Sequence, residues 1–143
     1  MDTNYDEHYI VTSDIHYNES KSDYMSSHKL HYGANLIGIN VLPQNSNIGT
    51  VFQSLESNVN SIVGEGQAAT LNPNLGWIGN LTAISTDGGY WVSVESDDIL
   101  IIPGEGGNCE ELSYSLHESA NLISYCCKQP ISLEIIPEGC TSI

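Results

Sequence analysis

Histidine is the residue type in this chain that comes closest to a chemical pattern. His28 and His31 lie three apart, a spacing that can hold a metal ion on a helix. The segment leads into an extended apolar run instead, which separates the two imidazoles. His31 also has a counterpart. The octapeptide LHYGANLI at 30–37 recurs as LHESANLI at 116–123, so His31 and His117 hold equivalent places. A side chain kept at one place in two copies of a unit reads as packing or capping before catalysis. The acidic pairs Asp97-Asp98 and Glu110-Glu111 could serve acid–base chemistry or attract Ca²⁺. Neither sits in the alternating Asp/Asn loop of an EF-hand, so solvated turns are the first reading. Asp97 and Asp98 are kept as weak Ca²⁺ candidates, and no other metal or cofactor is expected.

The catalytic motifs that could be sought are missing. Gly64-Glu65-Gly66 and Gly104-Glu105-Gly106-Gly107 lack the Lys-Ser/Thr of a phosphate loop, and read as a turn and a linker. No G-x-S-x-G elbow and no H-E-x-x-H occurs. No catalytic residue is therefore assigned, and the chain is expected not to be an enzyme. Four cysteines, Cys109, Cys126, Cys127 and Cys140, lie in the last third. Their even number fits disulfides of an exported protein, or one disulfide with two thiols. Adjacent Cys126 and Cys127 on a strand would point to opposite faces and so would not pair with each other. The strongest candidates for a binding surface are aromatic: Trp77, Tyr90 and Trp91. Such rings stack on sugars and on protein partners, but a small β-rich unit also needs them for its core. Tyr90 and Trp91 are neighbours on an expected strand, so one should face in and the other out.

Charge narrows the range of partners. Three lysines, no arginine and 18 acidic residues give a net charge of −15. That field repels phosphate backbones and anionic lipid surfaces, which argues against nucleic-acid and membrane-surface partners. No apolar run reaches membrane-spanning length, so no insertion is expected. Acidity of this degree suits a salty medium, where ions screen the self-repulsion.

The elements expected to position these residues are mostly strands. Residues 34–42 (ANLIGINVL) form an apolar, β-branched run ended by Pro43. Ser46 or Asn47 can cap a short helix through Val51, Phe52 and Leu55. Short strands are expected at 61–63, from Trp77, over 90–94 and over 99–102, with Pro103 as a stop. Residues 71–76 and 87–89 carry turn signals. The fold class is therefore mainly β with one or two short helices, a β-rich α+β arrangement. The repeat divides it into an N-terminal segment 1–27, a complete module 28–103, a linker 104–111 and the first half of a second repeat at 112–143. Tyr9-Ile10-Val11 echoes Ile99–Ile102, so residues 5–12 read as the last strand of a preceding repeat.

The series LHYGANLIGINVLP, IVGEGQAATLNPNLGWIGNLTAIS and GGYWVSVESDDILII resembles an NLIS/GYW-type tandem repeat module of large secreted or surface proteins of marine and other environmental bacteria. The resemblance spans residues 28–102 and returns at 116–125. It implies an extracellular or cell-surface protein built of several modules, with no catalytic residues to carry over. Gly33 is replaced by Ser119 in the second copy, a departure from the pattern. The expected function is structural or adhesive. Its partners would be neighbouring repeat modules and a glycan or surface protein, with homo-oligomers through the half repeat as an option. The alternatives are a fragment of a carbohydrate-active hydrolase, with paired carboxylates across a cleft, or a phage or virion structural component.

Overall fold

A computed structural model describes residues 14–18, 23–106 and 113–124. The chain is mainly β, as the alternating apolar segments demand, with two antiparallel sheets and two short helical stretches. One sheet holds β1 (Asp14–Asn18), β2 (Asp23–Leu30), β9 (Asp98–Gly106) and β4 (Val41–Leu42), in the order β1-β2-β9-β4. The other holds β3 (Gly33–Gly38), β8 (Gly89–Val94), β5 (Val59–Gly64), β6 (Gln67–Asn72) and β7 (Gly76–Gly79), in the order β3-β8-β5-β6-β7.

Both sheets contribute to one apolar core. In β8 the period of two buries Tyr90, Val92 and Val94 and exposes Trp91. In β9 it buries Leu100 and Ile102 and exposes Ile99 and Ile101. In β5 Val59 and Ile62 both point inward, three residues apart, because the register against β8 slips between Val59 and Ser61. Asn47 caps helix α1 (Ile48–Val51), its side chain accepting from the Gly49 amide at 2.9 Å. A 3₁₀ stretch follows over Gln53–Asn58. Together they deliver Ile48, Val51, Phe52 and Leu55 to the core.

Three expectations change in detail. The run 34–42 is two strands rather than one, because the chain leaves one sheet at Gly38 and joins the other at Val41. Ile37, Ile39 and Val41 stay buried throughout the crossing, so the alternation never breaks. Pro103 does not end β9, which continues through Gly106; β4 pairs only with Glu105 and Gly106, beyond the proline. Residues 104–106 of the expected linker at 104–111 are thus strand. Likewise, β2 starts at Asp23, ahead of position 28, and β1 and β2 are integral to the first sheet. The proposed strand at 5–12 lies outside the described residues.

Phe52 is the largest fully buried side chain. Phe52→Ala should lower stability by about 3–5 kcal/mol, the usual cost of such a cavity. Urea unfolding should show it as a fall in midpoint with little change in slope.

Candidate functional site

The repeated octapeptide forms the same hydrogen-bonded loop twice. In the first copy it carries the chain from β2 in one sheet to β3 in the other. The Asn35 side chain locks it. Its Oδ1 accepts the His31 amide at 3.0 Å, and its Nδ2 donates to the carbonyls of His31 (2.9 Å), Gly33 (3.1 Å) and Val92 (3.3 Å). The His31 Nδ1–H donates to the Tyr32 carbonyl at 2.8 Å, since a carbonyl can only accept. Gly33 takes a positive φ of 92°.

The second copy repeats the bonds within the loop, without a counterpart to the one that reaches Val92. Asn121 Oδ1 accepts the His117 amide at 2.9 Å, and its Nδ2 donates to His117 (2.9 Å) and Ser119 (3.0 Å) carbonyls. His117 Nδ1–H donates to the Glu118 carbonyl at 2.6 Å. Ser119 adopts φ 85°, the left-handed conformation of Gly33, without being glycine. Both imidazoles thus serve as backbone caps on exposed residues, whereas His28 is buried.

The second loop is also held from outside. Glu65, at the tip of the β5–β6 hairpin, accepts the Leu122 amide through Oε2 at 2.9 Å and pairs through Oε1 with His117 Nε2. Ile123 bridges to Gly88, while the Gly89 amide donates to Leu122 and the Ser124 amide to Asp87. Two facing glycines leave room for this. A Cβ on Gly38 would come within 2.4 Å of Ser124 Oγ, and one on Gly89 within 3.0 Å of Leu122 Cγ. Residues 121–124 therefore pack beside the start of β8, with Leu122 half-buried and Ile123 49% exposed.

The three aromatic candidates do not come together. Trp77 is half-buried against Phe52, with ring centroids 6.5 Å apart. Tyr90 points inward, and its hydroxyl accepts the Ser85 amide at 2.9 Å. Trp91 points outward and is 45% exposed. Register places Leu36 on one side of it and Val63 on the other, and both are exposed. The outer face of the five-stranded sheet therefore carries an apolar row centred on an indole.

Asp97 and Asp98 are occupied as hydrogen-bond acceptors. Asp97 takes the Tyr32 amide at 2.7 Å, and Asp98 takes Asn58 Nδ2 at 2.7 Å and its neighbour Ile99 at 2.8 Å. Among the described residues no three His, Cys, Asp or Glu side chains form a group able to hold a metal ion. An open depression of about 520 Å³ brings Glu56, Glu95 and Asp98 to one rim. The four cysteines and Glu110-Glu111 lie outside the described residues. Sequence reasoning missed Glu65, taken as part of a turn. The one available signal was a lone carboxylate between two glycines at a hairpin tip.

The twin loops should answer one substitution differently. Asn35→Ala strands carbonyls in a buried corner and should cost about 1–3 kcal/mol of global stability by urea unfolding. Asn121→Ala, and equally Glu65→Ala, should leave the global value unchanged. Each should raise the opening of residues 113–124 about fivefold, the effect of about 1 kcal/mol at an exposed pair, read by amide hydrogen exchange. Comparisons of the chain with protein families, with curated proteins and with solved structures find no match.

Proposed function

We propose that this chain is a non-catalytic module of an extracellular or cell-surface repeat protein, acting as a structural or adhesive unit. Its contact surface would be the outer face of the five-stranded sheet. The observation that carries this reading is the row Leu36, Trp91 and Val63. These side chains are 49%, 45% and 42% exposed and adjacent across three strands. Apolar groups set side by side on an open face mark a contact surface more often than scattered ones do. A tryptophan at the centre is the usual anchor of such a contact, and its flat ring also suits a sugar face. The duplicated loop supports a modular, tandem origin, in keeping with the resemblance to NLIS/GYW-type repeats. The acidic surface fits an exported protein in a salty medium.

The hydrolase alternative has one point of support, the depression shared by Glu56, Glu95 and Asp98. Asp98 there is committed to Asn58 and to the Ile99 amide, which leaves it poorly placed to act on a substrate. A glycan array combined with a bacterial-cell binding assay tests the adhesive reading. The whole chain should bind, and Trp91→Ala should weaken that binding at least about tenfold with an unchanged melting temperature. Binding that survives Trp91→Ala, or polysaccharide cleavage lost in Glu95→Gln, would overturn it.

A further inference from the structure

The second loop has its receptor in this chain: Glu65, with the start of β8 beside it. The first loop offers the same groups. His31 is exposed, and with Nδ1–H turned to the Tyr32 carbonyl its Nε2 faces outward, as that of His117 does. The equivalent of the Leu122 amide is that of Leu36, and its direction follows from the ladder. The Glu95 amide donates to the Asn58 carbonyl, flanking the pair Val59 and Val94, so that pair is of the non-hydrogen-bonded kind. Val94 therefore turns its own amide and carbonyl toward β3, and by alternation so do Val92 and Tyr90. The bond from Asn35 Nδ2 to the Val92 carbonyl agrees with this. Asn35 and Ile37 are thus the β3 residues that bond to β8. Leu36 points its amide and carbonyl the other way, to the outer edge of the sheet, where β3 is the last strand among the described residues.

We infer that the His31 loop and the outer edge of β3 form a docking site for a second copy of this module, whose Glu65 carboxylate would take His31 Nε2 and the Leu36 amide. The Gly89 amide of that copy would meet the Leu36 carbonyl, as Gly89 here meets Leu122. Each module would then grip the next by a carboxylate-tipped hairpin, and the exposed strand edge would be covered in the array. One such contact is weak between separate chains. It fills in a tandem protein because the linker holds the partners at high effective concentration. The inference rests on reading residues 28–103 and 112–143 as successive copies.

The test uses whole chains. Wild-type protein, isotope-labelled, is titrated to millimolar levels with an unlabelled chain carrying His117→Ala and Asn121→Ala, which frees Glu65. His117→Ala alone, which removes one of the two groups that hold Glu65, serves if the double variant does not fold. The His31 imidazole and Leu36 amide resonances should shift progressively. The shifts should vanish when the unlabelled chain also carries Glu65→Gln. Unmoved His31 and Leu36 resonances, or shifts indifferent to Glu65→Gln, would overturn the inference. Labelled Trp91→Ala chain separates the two readings. It should dock as well as wild type even if it no longer binds glycans or cells, so either can fail alone.

Discussion

The fold turns on the side-chain amide of Asn35. A two-sheet β structure must carry its chain from one sheet to the other, and each crossing strips backbone groups of their ladder partners. Between β2 and β3 that loss is met by one buried amide, which accepts from His31 and donates to three carbonyls. The third of these belongs to Val92, in the middle of the neighbouring strand. The corner is thereby tied to the sheet it enters, which fixes the register of β3 on β8 and decides that Leu36 faces outward. The exposed row around Trp91 and the free edge beside His31 are both consequences of that register.

Much of this is legible in residue order because the causes are local. The turn at Gly64-Glu65-Gly66 shows in its glycines, the capped helix in Asn47, and the two fates of Tyr90 and Trp91 in the pleat. The loop around His31 was visible as a repeat, although its meaning as a hydrogen-bonded corner was not. The errors came where alternation continued across a change of sheet. Residues 34–42 read as one strand because Ile37, Ile39 and Val41 are buried in unbroken period while their hydrogen bonds change partners. Pro103 read as a stop because a proline in a central strand is usually excluded, whereas here β4 begins its pairing only past it.

The docking of residues 113–124 was illegible for a different reason. Its parts are Glu65, the glycine pair Gly38 and Gly89, and the carbonyl of Asp87, contributed by three separate segments. None carries a signature of its own. A glycine at a strand end looks like any turn signal, and only the seated Leu122 and Ser124 show that the missing side chains make room for a neighbour.

The paired conformations of Gly33 and Ser119 define which sequences can make this corner. The middle position needs a left-handed backbone, which glycine supplies freely and serine reaches at a cost of about 1 kcal/mol. The residue beside it is free to be Tyr32 or Glu118, because its backbone rather than its side chain takes part. What the corner cannot exchange is the asparagine, whose amide both accepts and donates where aspartate could only accept. The pattern is therefore a grammar of backbone permission and amide chemistry. Genes that keep the His and the Asn while scattering the residues between them would still encode the same joint.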